Sequence, residues 1–294
     1  MENLLKHYRY EPSEDPIRSN RNATMEEIWQ PPFKMGPHVW HCSGHEDQGC
    51  YLIETTEGLV FIDTPSKRFH ELTFRAIEES GHDVKDIRYY FITHWHGDHD
   101  GCAGYLKEAS GCKIIMTAED WGCKCNMPVI MGRKIFEKPD YTPDILMWDE
   151  TQDFVIGNIT FHVSKGPGHT PGCMVIYFDD VDPEDGQVYH LAIHGGLGCE
   201  TMNTKERLIS EHIDPACRDR FIDQCLEMAR WDVDICLPSH LNHSGLRRSL
   251  CEDRNNWKWY VDKRTWPVML LERRGYVMER RGEEEGPRGI TVPR

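Results

Sequence analysis

Apolar residues fall in short blocks separated by Gly, Pro and Asp, which predicts many brief strands with helices between them. His38-Val39-Trp40, Cys50-Tyr51-Leu52-Ile53 and Leu59-Val60-Phe61-Ile62 read as strands, and Glu57-Gly58 turns the last two into a hairpin. Phe69, Leu72, Ala76 and Ile77 recur at helical spacing over 67–80, and Gly81 stops that helix. A strand over 88–92, a short helix over 101–109 and a strand over 113–116 make a β–loop–α–β unit. Residues 122–148 show no strong period, so a long loop beside the site is expected there. Trp121, Met127, Met131, Tyr141 and Trp148 then either line a substrate wall or pack in the core.

Strand patterns resume at 153–156, 159–163, 173–178 and 188–193. An amphipathic helix fits Pro215 to Arg230, and Val233-Asp234-Ile235-Cys236-Leu237 reads as a further strand. Asn255 to Arg281 is helical in pattern, with an interruption expected near Pro267. Residues 1–35 are polar and Pro-containing, and read as an N-terminal extension lying over a body that spans 36–294.

The predicted strand Tyr89-Tyr90-Phe91-Ile92 empties into Thr93-His94-Trp95-His96-Gly97-Asp98-His99-Asp100. His94 and His96 are two apart, which in an extended segment puts both imidazoles on one side. Asp98 and His99 follow where the chain turns and can serve a second ion. Neutral imidazole with carboxylate suits zinc or a similar borderline cation. A catalytic centre needs donors from distant segments, and histidines do recur at strand ends. His169 lies in the turn Gly166-Pro167-Gly168-His169-Thr170-Pro171-Gly172, and His240 follows the strand 233–237 in Leu237-Pro238-Ser239-His240.

The whole composition bounds the partner. The 294 residues carry a formal charge of −15, with no basic run to offset it, which argues against a nucleic-acid partner. No stretch approaches the length of a membrane span. Twelve cysteines lack an obvious disulfide framework and read as mostly reduced thiols of a cytoplasmic protein. Cys123-x-Cys125 lacks a second ligand pair at metal spacing nearby. The oligomeric state is not legible.

Taken in order, His94-x-His96-x-Asp98-His99, Gly168-His169-Thr170-Pro171-Gly172 and Ser239-His240 resemble the metallo-β-lactamase superfamily of binuclear zinc hydrolases, over about residues 38–275. The resemblance implies an α/β fold, a four-layer αββα sandwich. It implies two zinc ions per chain, the first held by His94, His96 and His169 and the second by Asp98, His99 and His240. A hydroxide between them would be the nucleophile, and Asp98 would orient it. Most of the superfamily bridges its metals with an Asp after the next strand. Here that segment reads Ala192-Ile193-His194-Gly195-Gly196-Leu197-Gly198, most like the all-histidine third subclass of the β-lactamases. That subclass binds the drug carboxylate through Ser or Thr near this point, where this chain has Gly196, with Thr201 and Asn203 the nearest alternatives. Asp63 matches a family position near the site, as a hydrogen-bond acceptor more than a ligand. His194 flanks the same loop with an open role; His243, His162 and His190 read as surface positions.

The implied activity is hydrolysis of a small-molecule substrate, a cyclic amide of the β-lactam type or an ester. A lactone, ester or thioester hydrolase on the same fold is the alternative. A metal-binding redox or interaction protein without hydrolase activity is a third.

Overall fold

The computed structural model describes residues 23–45, 48–126, 129–130, 133–134, 139–197, 204–210, 214–241 and 256–285. Two sheets face each other. The first runs in the order β1 (Phe33–Lys34), β2 (Val39–His41), β3 (Tyr51–Thr55), β4 (Gly58–Ile62), β5 (Ile87–Phe91), β6 (Lys113–Thr117), β9 (Ile145–Met147). The second runs β10 (Thr151–Ile156), β11 (Ile159–Lys165), β12 (Met174–Val181), β13 (Val188–His194), β14 (Ile235–Pro238). A separate hairpin joins β7 (Val129–Ile130) to β8 (Arg133–Lys134).

Strand pairs are antiparallel except β4–β5, β5–β6, β6–β9 and β13–β14, which are parallel. The crossovers carry α2 (His70–Glu79) between β4 and β5, α3 (Ala103–Ser110) between β5 and β6, and α6 (Cys217–Met228) between β13 and β14. The remaining helices are α1 (Met25–Ile28), α4 (Ala118–Asn126), α5 (Lys205–Ser210) and α7 (Thr265–Glu285).

The layers follow from the two-residue period of the strands. Phe91, Ile62 and Ile115 face Phe161, Ile176 and Phe178 across the space between the sheets. Their neighbours Phe61, Tyr90 and Ile114 turn outward onto Ala76 and Ile77 of α2 and Leu106 of α3. On the far side Val175, Ala192 and Cys236 pack under Phe221 and Cys225 of α6 and Trp266 and Leu270 of α7. This is the αββα sandwich that the motif order implied.

Several expectations are corrected. The segment 122–148 is not one loop: α4 occupies 118–126, and β9 closes the first sheet at 145–147. Neither shows an apolar period, because the buried residue of α4 is Asp120 and β9 has only three residues. Tyr141 and Trp121 pack on the core, whereas Trp148 is 73% exposed. Pro267 does not interrupt α7; it sits in the first turn, where its missing N–H removes no helical bond. Strand pairing already begins at Phe33–Lys34, inside the expected extension. Met127, Met131, Thr201, Asn203, His243 and residues 1–22 lie outside the described residues. No described helix is long and apolar enough to cross a membrane.

Candidate metal centre

The site lies where the ends of β4, β5, β13 and β14 meet the loop between β11 and β12. Beyond β5 the chain bends through residues 93–96 rather than staying extended; Trp95 packs in the helix-side core while the imidazoles of His94 and His96 converge on His169. The chain then tightens, with His99 N–H and Asp100 N–H both donating to His96 O at 2.8 and 3.0 Å. That turn brings Asp98 and His99 back beside His94, whose ring centroid lies 4.0 Å from that of His99.

Two donor sets result. His169 Nε2 lies 2.9 Å from His96 Nδ1 and 3.1 Å from His94 Nε2, and all three rings are buried. His99 Nε2 lies 3.0 Å from His240 Nε2, with Asp98 Oδ2 at 3.7 Å from His240 and 4.0 Å from His99. Tetrahedral zinc with bonds near 2.0–2.1 Å spaces its nitrogens by about 3.3 Å, so both sets fit a zinc-sized ion. His94, His96, His169 and Asp98, His99, His240 each have the composition and convergence a metal ion requires. The six residues singled out in the sequence are thus brought together.

Asp63 organises both sets. It follows β4 in a left-handed conformation, φ 56°, which Asp tolerates, and its buried carboxylate turns inward. Oδ1 accepts Thr93 N–H at 2.8 Å; Oδ2 accepts the Thr93 hydroxyl at 2.6 Å and His99 Nδ1–H at 2.8 Å. The Thr93 hydroxyl has spent its only proton on Asp63, so His94 Nδ1, 3.1 Å away, must donate to it. Both histidines therefore carry their proton on Nδ1 and present a lone pair at Nε2, the form a cation needs. Asp63 also stands near enough to His94 and His99 to form a third donor set, but both of its oxygens already accept hydrogen bonds.

Electrostatics agree with neutral donors. Burial, reinforced by the neighbouring histidines, holds His94 well below the ordinary imidazole range. Burial takes His96 down to about 4, and keeps His169 low as well. For Asp98 burial opposes ionisation, yet His99, His240 and His96 together hold its carboxyl below the usual range. Its side chain is 30% exposed, so it stands at the open side of the centre.

The second sheet supplies the remaining histidines through close backbone approach. A Cβ at Gly172 would fall 2.1 Å from Thr117 Oγ1, and one at Gly196 only 2.3 Å from His169 Cδ2. Gly196 thus leaves His169 the space in which it lies. Tyr51 O–H donates to Pro238 O at 2.6 Å and Gly49 N–H to Ser239 O at 2.8 Å, which anchors the segment leading to His240.

His194 does not join either donor set. It is buried, and its Nδ1 accepts Leu197 N–H at 3.1 Å, which fixes its proton on Nε2. Burial lowers its pKa to about 4 from 6.5. As pH falls through 6.5 the unfolded chain takes up a proton that the folded chain refuses until about pH 4. The stability present above pH 6.5 is therefore lost between 6.5 and 4, on the order of 3 kcal/mol for this residue. Urea unfolding of the metal-free protein across pH 7.5–4.5 is expected to show a slope shallower by about one proton in His194→Gln. An unchanged slope would rule out a buried neutral imidazole here.

Sequence reasoning missed Asp120. This buried carboxylate on α4 accepts Trp95 N–H at 3.1 Å, the Thr170 hydroxyl at 2.7 Å and Gly172 N–H at 2.6 Å. Burial pushes its pKa up to about 7, against the pull of those three donors. No spacing or residue pattern in the sequence marks it.

Known proteins resemble this chain in sequence or in fold. Residues 43–182 match the sequence model of the metallo-beta-lactamase superfamily. A hydroxyacylglutathione hydrolase of Hyphomonas neptunium is 29% identical over 145 residues, 49% of this chain and 47% of that protein. The match thus spans about half the length of that relative. Among solved structures, a beta-lactamase from Chitinophaga pinensis superposes with a TM-score of 0.74 at 22% identity, over 88% of this chain and 96% of that one. The subclass B3 metallo-beta-lactamase of Bradyrhizobium japonicum gives 0.73 at 18% identity, over 88% and 96%. A class B3 di-zinc metallo-beta-lactamase from an Alaskan soil metagenome gives 0.74 at 20%, over 92% and 98%. At these identities the structural likeness is one of fold.

Proposed function

We propose that the chain, whose residues 43–182 match the metallo-beta-lactamase superfamily model, is a binuclear zinc-dependent hydrolase that opens a cyclic amide of the β-lactam type or an ester bond. The observation that carries this reading is the convergence of two donor sets whose histidines His94 and His99 lie 4.0 Å apart, ring centroid to centroid, and are both oriented by Asp63. His94, His96 and His169 would hold one ion, and Asp98, His99 and His240 the other.

Two zinc ions there would supply Lewis acidity and lower the pKa of water from 15.7 towards about 7, so no Ser or Cys nucleophile is needed. The protein's own groups do the positioning. Thr93 and Asp63 keep the Nδ1 protons of His94 and His99 engaged, which holds each Nε2 lone pair on the centre. Asp98, ionised and partly open to solvent, would accept a hydrogen bond from the attacking water at Oδ2 and direct the water's lone pair at the carbonyl carbon. His194 carries its proton on Nε2 and stands outside both donor sets.

A thioester is the second substrate class, favoured by the hydroxyacylglutathione hydrolase that this chain partly matches. The formal charge of −15 favours a small molecule over nucleic acid. The ten described cysteines are all free thiols, which supports a reducing, cytoplasmic setting.

The test is a substrate screen run with and without chelator, alongside metal analysis of the folded protein. Turnover of a chromogenic cephalosporin that chelator abolishes and zinc restores supports the lactam reading; turnover confined to thioesters or lactones supports the second. A folded protein that binds no zinc, or whose hydrolysis ignores the chelator, would overturn both.

A further inference from the structure

We propose that Asp120 is a positioning residue for the first metal set, the clasp that holds the His94–His96 loop of one sheet against the His169 loop of the other. The inference rests on the two-metal reading above. His94 and His96 follow β5 in the first sheet, whereas His169 stands in the turn between β11 and β12 of the second. These loops are about 73 residues apart in sequence, and each needs an anchor to bring His169 Nε2 within 2.9 Å of His96 Nδ1.

Asp120 supplies the anchor from a third segment. Its Oδ2 accepts from both loops, Trp95 N–H between the two histidines at 3.1 Å and the Thr170 hydroxyl next to His169 at 2.7 Å. Its Oδ1 accepts Gly172 N–H at 2.6 Å, while Thr117 Oγ1 donates to Gly172 O at 2.8 Å. Gly172 is thus gripped at both its backbone polar groups, by residues three apart at the junction of β6 and α4. The fit leaves no slack: a Cβ at Gly172 would lie 2.1 Å from Thr117 Oγ1 and 2.8 Å from Asp120 Oδ1. An N–H group between two prospective ligands and a hydroxyl beside the third make the carboxylate a gauge of their separation. None of these three partners belongs to the second set, whose His99 is held by Asp63 instead.

The geometry sets the expected selectivity. Partners that orient metal ligands are worth about 10–100-fold in metal affinity. In Asp120→Ala the first of two bound equivalents should weaken by that factor while the second keeps its affinity. Thr170→Val, which removes one of the three hydrogen bonds, should shift the same equivalent by less. Asp180→Asn is the control for simple loss of a buried carboxylate. Asp180 accepts His38 N–H at 2.8 Å and lies five strand residues from the Val175–His194 pair, about 17 Å along β12.

The experiment is a cobalt titration of the folded full-length variants, followed by absorption and by chelator competition, with unfolding midpoints recorded in parallel. A selective loss at one equivalent in Asp120→Ala, with Asp180→Asn lowering the midpoint but leaving both affinities unchanged, is the expected result. Two equivalents bound with wild-type affinity in folded Asp120→Ala, or both weakened equally, would overturn the inference. If Asp120→Ala does not fold, the Thr170→Val titration decides by the same criterion. A wild-type chain that binds no second equivalent would instead overturn the two-metal reading itself.

Discussion

On the proposed two-metal reading, replacing His169 with Ala is expected to lower metal-dependent hydrolysis by ~10³-fold or more, because an ion that would bring water's pKa down towards about 7 would lose a ligand. His169 is the one donor of its set that comes from the second sheet, and its Nε2 faces both His96 and His94 at 2.9 and 3.1 Å. Gly196 beside it carries no side chain to take its place. The fold should survive the change. His169 is held neutral by burial, so removing it strands no charge, and its loop stays tied through Thr170 and Gly172 to Asp120. Steady-state rates, far-UV circular dichroism and bound zinc, measured on His169→Ala and on His96→Ala, check the prediction. Full activity in a folded variant of either would refute the ligand assignment.

Asp63→Ala should produce the largest loss of stability. The substitution leaves Thr93 N–H, Thr93 O–H and His99 Nδ1–H buried without their acceptor. Each unsatisfied group costs about 1–3 kcal/mol, so the metal-free chain should lose about 3–6 kcal/mol after partial relaxation. The functional signature differs from that of Asp120. Asp63 orients His94 through Thr93 and His99 directly, so both metal equivalents should weaken. Urea unfolding of the apo-protein and a two-site competition titration would read the two effects separately. A stability loss under about 1 kcal/mol would mean that water readily replaces the carboxylate.

Asp63 and Asp120 also show how far the sequence could be read. Asp63 stood out because it ends an apolar strand run, at a position where a resemblance to known hydrolases gave it meaning. Asp120 lies among polar residues of a nine-residue helix with no apolar stripe, and its three partners are 25, 50 and 52 residues away. Local pattern carries no information about such partners. β9 escaped notice for a related reason: three residues are too few to establish a period, and its place in the sheet is decided by pairing with β6.

The linear order of residues determined the strands that are buried on both faces, because their apolar runs can be satisfied only between two layers. It also determined the chemistry of the centre, since His-x-His-x-Asp-His and the two later histidines are the donor types a borderline cation requires. Tertiary structure alone decided which nitrogen of His94 and of His99 faces the centre. Those tautomers follow from hydrogen bonds to Asp63 and Thr93, across 30 and 36 residues of chain for the carboxylate's contacts to Thr93 and His99. It likewise decided the spacing between the two donor sets, which depends on how two sheets are clasped at their edges and on the absence of a Cβ where backbones meet. Composition and period act over a few residues, whereas orientation at this centre is set by contacts that exist only once the layers have packed.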